Sequence, residues 1–232
     1  MKTVGIVGGV GPESTIDYYR LIISGFRKAK NDGNYPQIMI NSVNLKILLD
    51  FVYSDNYSGA TQFLVQEIEK LAKAGADFAL IGSNTAHMVF DEVREKSPLP
   101  LISIIEETCR HTKDLGLSNV GLFGTRFVMG KDFYNKVFTR ENIILEIPEG
   151  TDKEYVHEKY MTELLYGNIL PETKAGLLKI VDKMKKEKGI QALILGGTEL
   201  PLILKDGDDP DIPFLDTTKI HVDGVMRELF SE

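Results

Sequence analysis

Hydrophobic positions along the 232-residue chain fall into two patterns that take turns. Short, near-continuous apolar runs such as Val4-Gly5-Ile6-Val7-Gly8 and Val120-Gly121-Leu122-Phe123-Gly124 suit strands buried on both faces. Between them, segments such as 61–74 and 174–186 space their apolar residues three and four apart, the period of a helix with one buried face. Strands alternating with helices predict an α/β chain with parallel sheets.

The apolar runs also recur, in the same order, about half a chain length later. VGIVG at 4–8 returns as VGLFG at 120–124, GADFALIGSNT at 75–85 returns as GIQALILGGTE at 189–199, and LPLIS at 99–103 returns as IPFLD at 212–216. Three ordered matches predict an internal duplication. The expected fold is two pseudo-symmetric α/β domains, each a small parallel sheet flanked by helices, with an active-site cleft between them. The expected boundaries are 1–100 plus 211–232 for the first domain and 101–210 for the second. In this alignment Ser83 falls on Gly197 and Thr85 on Glu199.

Open parallel sheets gather ligands beyond the carboxyl ends of their strands, where loops meet helix N-termini. Here those ends read Gly8-Gly9-Val10-Gly11, Gly82-Ser83-Asn84-Thr85, Gly124-Thr125-Arg126 and Gly196-Gly197-Thr198-Glu199. Small residues leave backbone N–H groups accessible to a carboxylate, which helix N-termini favour. A pseudo-twofold would set the Ser83 and Gly197 loops facing each other across one cleft. The other reading of these Ser, Asn and Thr residues is plain helix capping. The first loop departs from a dinucleotide fingerprint, because Ser14 stands at the third glycine position and Ile40-Asn41 where an acidic residue would meet a ribose. Pro12 with Ser14 and Thr15 reads instead as a helix start and an anion cradle.

A net charge of −7 and a pI near 5.3 argue against the cationic footprint of a nucleic-acid or acidic-membrane binder. No apolar run approaches the length of a membrane span, and the opening MKTVGIVGG is too short and glycine-rich for a leader, so a cytoplasmic protein is expected. One cysteine, Cys109, excludes an internal disulfide and a cysteine-rich zinc site, and its helical stretch at 104–110 suggests a buried structural role. DGDDPD at 206–211 lacks the glycine and glutamate spacing of a calcium loop and reads as an acidic surface loop. KMKKEKG at 183–189 reads as a solvated helix end. No metal site is expected.

GIVGG at 5–9, SNTAH at 83–87, GTRFVM at 124–129, GGTEL at 196–200 and DTTKIH at 216–221 together resemble the cofactor-independent aspartate/glutamate racemases, and the resemblance spans essentially the whole chain. It implies two cysteines, one before an Asn-Thr pair and one before a Thr-Glu pair, that act on the substrate α-carbon from opposite sides. One thiolate removes the α-proton while the other thiol delivers a proton to the opposite face, without pyridoxal phosphate. A thiol suits this work because its lowered pKa makes it a base near neutral pH, which an alcohol is not. On this chain the resemblance puts the catalytic positions at Ser83 and Gly197. The substrate-binding positions become Val10, Asn84, Thr85, Thr125, Thr198 and Glu199.

The implied substrate is aspartate or glutamate, with no cofactor and a homodimeric assembly. With both cysteines replaced, the implied activity is an impaired racemase, and the second reading is a non-catalytic acidic amino-acid binding protein. His87, four residues after Ser83, admits a weak Ser83–His87 base pair or a histidine hydrogen-bonded on the inner face of a helix. Arg126 and Lys131 can neutralise a side-chain carboxylate or sit on a helix surface.

Overall fold

A computed structural model describes residues 1–30 and 32–231. The chain forms two compact units, Met1–Glu107 with Thr218–Glu232, and Thr108–Thr217. The first stretch runs β1 (Val4–Gly8), α1 (Pro12–Ala29), β2 (Ile38–Ser42), α2 (Leu45–Tyr53), α3 (Tyr57–Ala74), β3 (Phe78–Ile81), α4 (Phe90–Lys96), β4 (Leu101–Ile102) and α5 (Ile104–Asp114). It continues with β5 (Asn119–Gly124), α6 (Arg126–Gly130), α7 (Phe133–Arg140), β6 (Ile144–Glu146), α8 (Gly150–Thr162), α9 (Pro171–Lys188), β7 (Leu193–Gly196), α10 (Leu200–Ile203), β8 (Phe214–Asp216) and α11 (Thr217–Leu229). The sheet orders are β2-β1-β3-β4 and β6-β5-β7-β8, parallel throughout. The three repeated segments of the sequence are thus β1 and β5, β3 and β7, β4 and β8, and each pair holds the same place in its own sheet.

In the first unit the pleat divides the central strands between two cores. Val4 and Ile6 of β1, with Phe78 and Leu80 of β3, pack against Tyr18 and Ile22 of α1 and Val222, Val225 and Leu229 of α11. The alternate residues Val7, Ala79 and Ile81 meet Leu64, Ile68 and Leu71 of α3 on the other face. Both faces are covered, which is why these strands read as continuous apolar runs. Helix α1 buries Tyr18, Ile22 and Phe26 at four-residue spacing, one above the other on a single stripe, and opens with Pro12 where no N–H is needed. In the second unit Phe123 of β5, Leu193 and Leu195 of β7 and Phe214 of β8 pack with Val156 and Tyr160 of α8 and Leu177, Val181 and Met184 of α9.

The boundaries fall later than 100 and 210. Strand β4 pairs with β3, Ala79 opposite Leu101, and β8 pairs with β7, Leu193 opposite Phe214, so each short strand stays with its own sheet. The division therefore runs through α5 and the start of α11. Among the described residues no helix is long and apolar enough to cross a membrane.

The end of α9 is not a uniformly solvated face. Lys185 turns in to Asp209 at 2.7 Å and Asp211 at 2.8 Å, Lys188 reaches Glu146 and Glu149, and Lys174 meets Asp208 at 2.7 Å. The DGDDPD loop is in this way fastened to α9 by lysines. Burial works against ionisation of Asp209, but Lys185 and the backbone N–H groups of Asp211 and Ile212 outweigh it and hold the carboxyl below its usual range.

Two histidines lie fully inside the first unit. His87 Nδ1 donates to the Ser83 carbonyl at 2.7 Å while its Nε2 accepts the Ile104 N–H at 3.2 Å. His221 Nε2 donates to the Ile102 carbonyl at 3.0 Å while its Nδ1 accepts the Tyr18 hydroxyl at 2.8 Å. Each ring is neutral, with its tautomer assigned from these partners. Burial, then repulsion from His221, lowers His87 to about 3, and Arg94 adds to this against the Ser83 carbonyl. Burial lowers His221 to about 4, opposed by the Ile102 carbonyl.

Lys185→Met is expected to lower the midpoint of thermal unfolding by about 2–4 °C, the equivalent of roughly 1 kcal/mol, because the buried Asp209 loses its cationic partner. Lys183→Met, which removes only the exposed pair with Asp152, should shift it by less than about 1 °C. For the histidines, the folded-state values lie below the unfolded-chain value of about 6.5, so the unfolded state takes up protons first. Stability is therefore full above that pH and falls as the pH drops, each ring contributing a slope of up to about 1.4 kcal/mol per pH unit. Denaturant unfolding of His87→Gln between pH 6 and 4.5 should show a slope smaller by about that amount; an unchanged slope would mean that His87 titrates like a solvated histidine.

Candidate functional site

In the first unit β1 and β3 are neighbours, with Val7 opposite Ile81, and Gly82 donates its N–H to the Val7 carbonyl at 3.0 Å. The loops that follow leave the sheet side by side. In the first of them Gly9 has φ +75°, and a side chain there would meet the backbone nitrogen of Val43 at 2.7 Å, so the turn requires glycine. The Gly9 N–H is taken by the Thr15 hydroxyl at 2.8 Å, and Ser14 and Thr15 both donate to the Gly11 carbonyl at 2.7 and 3.1 Å. These hydroxyls brace the turn ahead of α1. Val10 is 6% exposed and belongs to the core cluster on the α3 side.

After β3, Ser83 and Asn84 are buried and Thr85 begins a single 3-10 turn, Thr85–Val89. The Ser83 hydroxyl accepts the Ala86 N–H at 3.3 Å, which caps that turn. His87 does not activate this hydroxyl. Its Nδ1 is bonded to the carbonyl of Ser83 and its Nε2 to the Ile104 N–H, so both ring nitrogens are committed, and the ring stacks on Phe90 at 4.5 Å between centroids. The structure thus decides for the histidine hydrogen-bonded on the inner face.

In the second unit Gly124 of β5 lies opposite Gly196 of β7, which brings Thr125 and Gly197 to the same sheet edge. Thr125 caps α6, its hydroxyl accepting the Val128 N–H at 3.3 Å. Arg126 points outward to Glu154 at 3.0 Å. Beyond β7, Thr198 and Glu199 are buried, Glu199 at 2% exposure. A carboxylate removed from water needs donors. Glu199 Oε2 accepts the Thr198 hydroxyl at 2.8 Å and the hydroxyl of Tyr160, which reaches in from α8. Burial, then the charge of Glu199, holds the Tyr160 hydroxyl well above its ordinary pKa, so it remains a proton donor.

The Tyr160 ring also occupies the space in front of Gly197. A methyl group on residue 197 would lie 3.0 Å from Tyr160 Cζ and 3.2 Å from Cδ2, tighter than ordinary contact. No motif announces Tyr160. The one signal in the sequence is indirect: a glycine where the resemblance places a side chain leaves volume that some other residue must fill.

The residues singled out from the sequence stand in two groups at the carboxyl ends of their strands. Val10, Ser83, Asn84 and Thr85 belong to the first unit, and Thr125, Gly197, Thr198 and Glu199 to the second. The first group carries hydroxyl and amide side chains, the second a buried carboxyl group bonded to two hydroxyls. Cys109 lies buried in α5 with its sulfur 3.9 Å from the Val137 carbonyl. Among the described residues no group of three or more His, Cys, Asp or Glu is placed to hold a metal.

Known proteins share this arrangement of strands and loops. The solved structure of an aspartate racemase homologue from Pyrococcus horikoshii OT3 is 31% identical, covers 100% of both chains and superimposes with a TM-score of 0.86. The broad-specificity amino-acid racemase RacX of Bacillus subtilis (strain 168) is 25% identical over 226 residues, covering 93% of this chain and 92% of the relative. The aspartate racemase of Picrophilus torridus, 22% identical with a TM-score of 0.79, covers 99% of this chain and 94% of its own, and shares the fold. The profile of the Asp/Glu/Hydantoin racemase family matches residues 7–225. With nearly its whole length so matched, the chain belongs to the Asp/Glu/Hydantoin racemase family of isomerases.

Proposed function

We propose that this protein interconverts the enantiomers of a small acidic amino acid, aspartate or glutamate, without a cofactor, and does so slowly. The observation that carries this reading is Glu199, a buried carboxylate at the carboxyl end of a central parallel strand, held by two hydroxyls on one oxygen. A carboxyl group so placed at a strand end has the chemistry to receive a cation, here the substrate ammonium. Asn84, Thr85, Thr125 and Thr198 are assigned to the substrate carboxylates, and Val10 to packing at the edge of that site. Ser83 and Gly197 occupy the positions from which the resemblance has thiols act on the α-carbon.

Neither supplies an ordinary base. Ser83 is an alcohol whose oxygen already accepts the Ala86 N–H, with no histidine beside it to take its proton, and Gly197 has no side chain. General acid–base catalysis contributes about 10²- to 10⁴-fold, and that is the scale of the loss expected here. The same reading makes the protein a cytoplasmic homodimer.

The test is α-deuterium incorporation into L- and D-aspartate and glutamate in deuterated water, followed by NMR. Ser83→Cys, a near-isosteric change, should speed exchange by about 10²-fold or more with little inversion, because one thiolate suffices to remove and return a proton on one face. Inversion should appear when Gly197→Cys is added together with Tyr160→Ala to make room for the sulfur. A Ser83→Cys protein that unfolds like the native chain, binds these amino acids and exchanges no faster would sink the racemase reading.

A further inference from the structure

The loop after β7 is completed by a residue from outside it. Tyr160 sits in the core of the second unit, and its ring and its hydroxyl do separate things. The ring lies where a side chain on residue 197 would project. The hydroxyl ends on Glu199 Oε2, the oxygen that also accepts the Thr198 hydroxyl. Two donors on one oxygen restrict rotation about the last bond of the glutamate. Glycine at 197 and tyrosine at 160 are then one structural choice, since a larger residue at 197 would push the ring away and take the hydroxyl with it.

We propose that Tyr160 is a positioning residue of the substrate site: it takes the place of the side chain that residue 197 lacks and holds the Glu199 carboxylate in the orientation that receives the substrate ammonium. The role given to Glu199 rests on the function proposed above; the exchange of place between Tyr160 and Gly197 does not. Tyr160 is not assigned to proton transfer with substrate, because its own proton is committed to Glu199.

A pair of substitution cycles tests this. In the first, Tyr160→Phe keeps the ring and removes the hydroxyl, and Glu199→Gln removes the charge; binding of aspartate and glutamate is measured by calorimetry and stability by thermal unfolding. Tyr160→Phe should stay folded, lose less than about 10 °C in midpoint, and bind about tenfold or more weakly, the scale of one hydrogen bond to a charged group. The double variant should bind no more than about twofold more weakly than Glu199→Gln alone. Losses that multiply would show that Tyr160 acts independently of Glu199, and would overturn the positioning role.

In the second cycle, Gly197→Ala should lower the midpoint in the native background and leave it unchanged or raised in a Tyr160→Ala background. Equal effects in both would show that the ring does not occupy that place. If the native chain takes up neither amino acid, the racemase reading falls, and the proposal is judged on the unfolding data alone: non-additive midpoint shifts for Tyr160→Phe and Glu199→Gln support the contact, and additive shifts overturn it.

Discussion

Parallel pairing of the central strands is the constraint on which the candidate site depends. A parallel ladder sets every strand running the same way, so the carboxyl ends gather at one edge of each sheet and their loops emerge there together. In the first unit the pairing of Val7 with Ile81 puts the Gly8–Gly11 and Gly82–Thr85 loops side by side, and in the second the pairing of Gly124 with Gly196 does the same for Thr125 and Gly197. Slipping either ladder by two residues would keep the apolar faces inward and yet separate these groups by roughly 6–7 Å along the strand. Register, more than burial, assembles the chemistry.

Within that frame the second unit solves a packing and an electrostatic problem with one side chain. Glu199 is a carboxyl group removed from water, and Gly197 leaves space beside it that the Tyr160 ring fills. Tyrosine fits both needs because it carries a flat apolar body and a polar tip: the body fills that space and the tip reaches the carboxyl group. Phenylalanine would fill the space without satisfying the carboxyl group, and serine on α8 could not span the distance. The first unit handles its polar groups differently. Ser83, His87, Ile104 and, through His221, Tyr18 and Ile102 form short bonded chains in which each donor meets a backbone or ring acceptor. The histidines there are neutral structural links, and this is why the hydroxyl of Ser83 has no base at its side.

The lysines of α9 show how composition can mislead at short range. A run of four lysines in six residues reads as solvated, and so does an acidic hexapeptide two dozen residues later. Set beside one another by the fold, Lys174 and Lys185 fasten the acidic loop and draw Asp209 into burial, while most of both segments stays exposed as expected.

Much of the fold was legible in the sequence, since continuous apolar runs, helical spacing and the order of repeated segments are local or periodic, and periodicity follows directly from backbone geometry. The strand-end residues Ser83, Asn84, Thr85, Thr125, Thr198 and Glu199 could be named because they adjoin those runs. The edges of the two units could not, because strands as short as Leu101–Ile102 and Phe214–Asp216 carry no period and belong to whichever sheet hydrogen-bonds them. Nor could the direction of His87, a choice between the carbonyl and the hydroxyl of one residue four positions away. Least visible was Tyr160, which lies 37 residues before Gly197 and meets it only because α8 packs against the carboxyl end of β7; contact between residues so far apart in the chain is set by the packing of whole elements, and no local pattern encodes it.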